Sequence, residues 1–411
     1  MSTSPSTAYR RYALGLFLLV NLLNYIDRQV LYAVFPLIKK SLSLSDTSLG
    51  LLGSAFMVVY MLAAPLFGWL GDKGNRIRLA AGGLGIWSLA TMLAGVSSGY
   101  RQLLAARSLV GIGEASFGTV APGMIADYFP QERRGRVLSW FYLAIPVGSA
   151  LGYLLGGVIG ERFGWQSAFL MVGAPGLLLV IPLALLKTVE QPKPAEKSSS
   201  SYLLLLKNRS YVMNTLAMTA MTFAMGGMAQ WMPTFLNRVH GLGVEKGNLL
   251  FGGLTVVAGI IGTLAGGWLG DYYQRRRADG YLIVSGWGFI LGIPAMLVAL
   301  TAADLQTALI GMFLAELCLF LNTGPLNTVI VNVTRHDMRA MAFAANILVI
   351  HALGDAVSPA LIGLLSDRFG LAKALLSTVA AIMLAAVFCF ICGKRIAGDL
   401  LQDSPANNQS P

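Results

Sequence analysis

"GWLGDKGNRIR", residues 68–78, returns 199 residues later as "GWLGDYYQRRR", residues 267–277. A second pair, "GERFG" at 160–164 and "SDRFG" at 366–370, is offset by 206 residues. Two motifs repeated at about half the length of a 411-residue chain describe two similar halves joined in the same order. The G-x-x-x-D-x-x-x-R copies are also chemically legible. Gly68 and Gly71 let helix backbones approach closely, and Asp72 sits at the end of an apolar run, where it can accept bonds from a helix N-terminus or a basic partner. Gly74 lies in the turn, and Arg76 and Arg78 follow it. One such copy reads equally well as a basic turn that only sets topology. A second, with Asp271 and Arg275 in the equivalent places, favours a pair of gating latches that hold in one conformation and release in another.

What surrounds these turns is apolar. The chain is 55% hydrophobic and 12% charged, with a mean hydropathy of +0.66, the composition of an integral membrane protein. Apolar stretches long enough to cross a bilayer as helix, about 20 residues each, fall at 12–38, 47–70, 78–98, 102–125, 136–159 and 165–187. They recur at 210–237, 248–270, 281–303, 305–329, 340–365 and 371–394. These twelve are numbered spans 1 to 12. The expected fold is therefore an all-α membrane protein of twelve transmembrane helices in two six-helix bundles. Residues 1–187 would form the N-terminal bundle and 208–398 the C-terminal one, with a tail at 399–411. Residues 188–207, rich in Pro, Ser and Lys, read as the linker between them.

Of the 30 Lys and Arg, 20 lie on the side that holds both termini and the linker, eight lie on the other, and Arg28 and Arg107 fall within spans. Cytoplasmic loops carry the excess of such residues, so both termini are expected inside, in a bacterial cytoplasmic membrane. The net charge of +11 is accounted for by this bias, and no nucleic-acid partner is needed. Cys318, Cys389 and Cys392 lie inside spans, which implies no extracellular disulfide framework, and the Cys389-x-x-Cys392 pair reads as packing rather than a metal or redox site. The sequons at Asn208, Asn332 and Asn408 fall on the inner side and are expected to stay unmodified. The first apolar run is too long for a signal peptide, so span 1 is expected to be retained.

The repeated turns after spans 2 and 8 resemble the signature loop of the major facilitator superfamily. The second copy departs from that pattern at Tyr272 and Tyr273, where a small or charged residue is more usual. "RSLVGIGEA", 107–115, is similar to the span 4 pattern of proton-linked members, and "PVGSALGYLLGG", 146–157, resembles the small-residue hinge of antiporters. "NYIDRQVLYAV", 24–34, with Glu114 in span 4, looks like the Spinster branch, here a bacterial homologue. The resemblance implies a secondary transporter with spans 1, 4, 7 and 10 around a central cavity, and the export of lysophospholipids or sphingolipid phosphates.

Apart from loops and span ends, the membrane interior holds Asp27, Arg28, Arg107, Glu114, Glu316, His351 and Asp355. A charge at a helix centre costs roughly 2.5 to 3.5 kcal/mol and normally faces a bundle interior or a wet cavity. At 1.5 Å per residue, Asp27, Glu114 and Glu316 lie about 17 to 18 Å from the outer boundary and Arg107 about 8 Å. Adjacent helical residues point about 100° apart, so Asp27 and Arg28 cannot satisfy each other. Arg107 and Glu114, two turns apart on one face of span 4, are the obvious partners; Arg28 is expected to be shared between Glu114 and substrate, and Asp27 to couple to Arg107 when the outer side closes. The expected roles are proton coupling for Asp27 and Glu114, and substrate binding for Arg28, Arg107, Glu114 and Glu316. Exchange of partners would alter the proton affinity of Asp27, because a nearby cation and bare burial act on a carboxylate in opposite directions. A static ion-pair cluster is the competing reading, weakened because buried pairs are often no more stable than apolar replacements. His351 and Asp355 share a face of span 11 and fit a proton relay or a packing pair equally.

Methionines at 218, 221, 225, 228 and 232 form one stripe along span 7. Flexible thioethers suit an adaptable wall, with Met225 and Met228 as substrate contacts, although helix packing explains the stripe as well. The expected partners are a small amphiphilic or lipid substrate, protons and membrane lipids, acting on a monomer without cofactor or metal. No G-x-x-x-x-G-K-[ST] loop is present for direct ATP drive, and the one G-x-S-x-G string, Gly95–Gly99, has no histidine in its half of the chain to serve as the base of an intramembrane hydrolase. A multidrug or organic-anion transporter of the same fold is the first alternative. A non-transporting sensor is the next, disfavoured by the short end "DLLQDSPANNQSP".

Overall fold

A computed structural model describes residues 6–129, 131–187, 202–335 and 338–401, and every regular element among them is helical. Residues 188–201 of the linker and 402–411 of the tail, with the sequon at Asn408, lie outside the described residues. The last six linker residues form a short helix, Tyr202–Lys207.

Eight spans are single helices: Asp46–Lys73, Arg76–Gly95, Tyr100–Tyr128, Gln131–Phe163, Trp165–Ala184, Arg209–His240, Val244–Gln274 and Gly280–Thr301, for spans 2 to 9. Span 1 divides into Thr7–Ala33 and Phe35–Leu42, at a proline whose missing N–H suits the start of a helix. Span 10 divides into Leu305–Phe320 and Thr323–Val333. Span 11 runs Arg339–Ile350, one π-helical turn His351–Asp355, then Ser358–Phe369. Span 12 is Leu371–Ala374 followed by Leu376–Leu401 and passes the expected end at residue 394. Among the described residues ten helical stretches are long and apolar enough to cross a bilayer. Spans 4 and 7 are not among them, and both carry polar side chains that turn out to be buried, including Arg107, Glu114, Asn214, Gln230 and Thr234.

The chain forms two compact units. The first holds residues 1–194 together with 229–253 and 359–367. The second holds 195–228, 254–358 and 368–411. The turns 39–46, 240–245 and 366–371, opposite the basic side, are called the outer ends below.

In the first unit, span 5 presents Gly148, Gly152 and Gly156 to span 1 at four-residue spacing. A Cβ on each would stand 2.6 to 2.7 Å from atoms of span 1, so the small-residue hinge pattern is a packing seam that brings the two backbones together. Span 4 approaches span 3 the same way, with Gly113 against Trp87. These seams place Asp27, Arg28 and the charged stripe of span 4 in one interior. In the second unit, span 10 breaks where Gly266 of span 8 packs against Leu321, and buried Asn322 donates from Nδ2 to the Cys318 carbonyl at 2.7 Å.

Candidate functional site

Span 1 turns Asp27 and Arg28 toward different neighbours, as the helical angle requires. Arg28 donates from Nε to Glu114 Oε2 at 2.7 Å. Its guanidinium also lies 5.1 to 5.2 Å from the ring centroids of Tyr25, Phe56 and Tyr60, within range of cation–π attraction. Arg107 donates from Nη1 to Asp27 Oδ1 at 3.3 Å, while the Thr91 hydroxyl of span 3 donates to Asp27 Oδ2. Arg107 also stands 5.3 Å from the Phe56 ring, so this one ring lies beside both arginines. The cluster contains two acids and two bases and is electrically balanced.

Burial is uneven across it. Arg107 and Glu114 side chains are 0% exposed and Asp27 is 3%, whereas Arg28 retains 18%. Arg28 is therefore the member through which an outside group can reach the cluster. Arg107 Nε and Nη2 and Glu114 Oε1 are buried with no hydrogen-bonding partner among the described residues. Unused donors and an unused acceptor inside one low-dielectric cluster are costly if left so. They also supply the vacant bonding capacity that a change of partners requires.

Thr91 is the member the sequence reading missed. Hydroxyls are common inside apolar spans, where most bond to their own helix, so nothing marked Thr91 before the fold put it against Asp27.

The remaining candidates lie in the second unit. Glu316 is buried and accepts from Thr255 Oγ1 of span 8 at 3.0 Å; its Oε2 has no partner among the described residues. Met228 is only 1% exposed and belongs to the core, as do Met218 and Met221, whereas Met225 is half-buried. Of the two methionines expected as substrate contacts, Met225 keeps partial exposure whereas Met228 is enclosed. His351 Nδ1 and the Asp355 carboxylate meet at 2.9 to 3.0 Å across the π-helical turn of span 11, and Asp355 packs on Gly226 of span 7.

The inner turns differ between the two copies. In the first, Arg76 donates to the Gly71 carbonyl at 3.1 Å, to Asp72 at 3.3 Å and to Asp127 of span 4 at 3.5 Å. Gly68 packs on Thr119 and Gly71 on Val120, which brings the end of span 2 against span 4, and Gly74 ends the span 2 helix. Asp127 was legible only as an acid in the last turn of span 4. In the second copy Asp271 accepts from the Tyr281 hydroxyl at 2.7 Å instead of an arginine, and Tyr272 stacks against Arg276 at 3.8 Å. Arg275 lines a small open cavity with Asp271, Gln274 and Tyr281. The departure at Tyr272 and Tyr273 thus accompanies a different local chemistry, a phenol-to-carboxylate hydrogen bond in place of an ion pair.

Residues 17–359 match the Major Facilitator Superfamily family model. Over 389 residues the chain is 36% identical to Protein spinster homolog 1 of Xenopus laevis, covering 88% of this chain and 74% of that one. It is 35% identical to Protein spinster homolog 1 of Homo sapiens over 379 residues, 85% and 71% of the two chains. Among solved structures, a bacterial homolog to the human lysosomal transporter Spinster, in an inward-facing and unoccupied conformation, superposes with a TM-score of 0.87 at 24% identity, covering 98% of this chain and 100% of that one. A D-xylose–proton symporter superposes with a TM-score of 0.75 at 17% identity over 94% of this chain and 98% of its own. The chain therefore belongs to the Spinster family of the major facilitator superfamily, as a multi-pass membrane transporter of twelve helices in two six-helix bundles and not an enzyme.

Proposed function

We propose that this protein is a proton-coupled secondary transporter that works by alternating access and exports an amphiphilic anionic lipid, such as a lysophospholipid or a sphingolipid phosphate. The carrying observation is the charge cluster of the first unit, in which an accessible arginine is tied to a buried carboxylate and the neighbouring carboxylate to a buried arginine. An anionic headgroup arriving at Arg28 competes with Glu114 for the guanidinium. Proton uptake by Glu114 removes that competitor, and proton uptake by Asp27 releases Arg107, whose unused donors lie in the same interior. Proton binding and anion binding are thereby interdependent. The aromatic rings around Arg28 keep it from open water and sharpen that dependence.

In the second unit, Glu316 with Thr255 and half-buried Met225 are the corresponding candidate contacts, the former polar and the latter adaptable. The inner turn around Asp72 and Arg76, and its weaker counterpart around Asp271 and Arg275, would serve as gates on the cytoplasmic side. The distribution of Lys and Arg supports cytoplasmic termini, in a bacterial inner membrane, and the protein is taken to act as a monomer.

The test is transport into proteoliposomes under an imposed pH step, with labelled lysophospholipids, sphingoid phosphates, sugars and cationic drugs offered in parallel. Movement of the anionic lipids that collapses when the pH gradient is dissipated is the expected result. Movement of sugars or cations alone would overturn the lipid assignment, and transport indifferent to the gradient would overturn the coupling.

A further inference from the structure

The repeated motifs "GERFG" and "SDRFG" belong neither to the charge cluster nor to the inner turns, yet the fold uses both copies alike. Each ends a helix at its phenylalanine, in Gln131–Phe163 and in Ser358–Phe369, and each following glycine is left-handed, Gly164 at φ 88° and Gly370 at φ 84°. A left-handed residue at that place favours glycine and stops the helix. The acid three residues earlier, Glu161 or Asp367, is thereby fixed in the last helical turn at the outer end.

Each acid then caps a helix from the opposite half of the sequence. Asp367 Oδ1 accepts the Asp46 N–H at 2.8 Å, and Oδ2 accepts the Thr47 N–H at 2.8 Å and the Thr47 hydroxyl at 2.6 Å, at the start of span 2. Glu161 Oε2 accepts the Glu245 N–H at the start of span 8. Its Oε1 lies 2.9 Å from where a Cβ of Gly243 would stand, so a residue without a side chain leaves it room. The acid that opens each capped helix is tied to a base in turn. Asp46 receives Arg238 through two bonds of 2.7 and 2.8 Å, Lys39 at 2.5 Å and the Ser366 hydroxyl at 2.6 Å. Glu245 receives Arg162 at 3.0 Å. All of these groups lie within the first compact unit.

We propose that the acid-R-F-G repeat forms the outer gate of this transporter. Two clasps related by the internal repeat, Glu161 on span 8 and Asp367 on span 2, hold the outer ends of spans 7, 8 and 11 to the first six spans, and both must release before the outer side opens. A carboxylate at a helix N-terminus meets unpaired N–H groups and the positive end of the helix dipole, a contact that is stabilising yet readily reversed. The Asp367 clasp closes over buried Asp46, whereas Glu161 and Arg162 are exposed and Glu245 is only half-buried. The Asp367 clasp is accordingly the stronger of the two.

The test uses the full-length transporter in lipid vesicles, with Cys318, Cys389 and Cys392 replaced by alanine and one reporter cysteine at Thr234. That residue is buried in span 7 below the outer end, and its hydroxyl has no partner among the described residues. The rate of labelling by a membrane-impermeant maleimide reads how often the outer side opens. Asp367→Ala is expected to raise that rate by about fivefold, the loss typical of a helix cap, and Glu161→Ala by less. Asp367→Asn and Glu161→Gln, which keep an acceptor oxygen, should restore much of the slow rate. A control reporter at Thr378, buried in span 12, is expected to stay unlabelled in every variant. Unchanged labelling at Thr234 in both alanine variants would overturn the proposal. So would an equal rise at Thr234 and Thr378, which would mark the motifs as general fold stabilisers.

Discussion

Removing Arg28 strands Glu114, and the size of that effect separates a buried working pair from a peripheral contact. Glu114 is 0% exposed and receives Arg28 Nε at 2.7 Å, with its second oxygen without a partner among the described residues. Breaking a buried pair by deleting one member typically costs 3 to 5 kcal/mol, because the other charge stays behind. Arg28 keeps 18% exposure, which admits some screening, so Arg28→Met is expected near the lower end, about 3 kcal/mol at neutral pH. The loss should shrink in acid, where Glu114 can be protonated and the stranded charge disappears. The double variant Arg28→Met with Glu114→Gln removes both charges and is expected to recover most of the stability, within about 1 kcal/mol, without recovering transport. Equilibrium unfolding of the purified protein by SDS titration at pH 5 and pH 7.5, alongside the vesicle assay, checks both halves. Equal stability of single and double variants at both pH values would refute the electrostatic account. Wild-type transport by the double variant would remove the pair from the mechanism.

Further consequences concern neighbouring contacts. Asp27→Asn keeps an acceptor for Thr91 but loses the ionic partner of Arg107; substrate exchange without a gradient should survive while pH-driven accumulation is lost, as a comparison of counterflow with pH-step uptake would show. Thr91→Val deletes the hydroxyl facing that carboxylate and should cost roughly 1 to 3 kcal/mol, with Thr91→Ser close to wild type in the same unfolding assay. At the inner turns, Arg76→Ala should depress transport more than Arg275→Ala, since Arg76 joins Gly71, Asp72 and Asp127 whereas Asp271 is held by Tyr281; equal losses in matched vesicle assays normalised to protein would contradict that asymmetry. Gly50→Ala should destabilise the protein by roughly 1 to 3 kcal/mol, because its Cβ would run into the backbone of Pro359; a thermal melt unchanged from wild type would contradict that packing.

The fold was legible because membrane physics leaves few choices. Apolar runs of bilayer length must be helices, and the repeated turns at 68–78 and 267–277 mark two halves. Spans 4 and 7 were the least apolar because they carry buried polar groups, and in span 4 two of these belong to the charge cluster. The site was half legible. A charge inside the bilayer advertises itself, and the 100° step between neighbours already required at least one of Asp27 and Arg28 to look to another helix, for which span 4 was the obvious source. That Arg28 takes Glu114 and Asp27 takes Arg107 also depends on the close seam of Gly148, Gly152 and Gly156 against span 1. Thr91, Asp127 and Tyr281 carried no comparable signal, since a hydroxyl in a span or an acid near its end is ordinary until a partner stands opposite. The methionine stripe stayed open between packing and substrate contact for the same reason, because spacing defines a helical face without telling whether that face meets a cavity or a neighbour. Local sequence thus settles which segments cross the bilayer and which charges are costly there. Which side chain answers each charge is set by contacts between segments tens to hundreds of residues apart, and only the folded chain creates them.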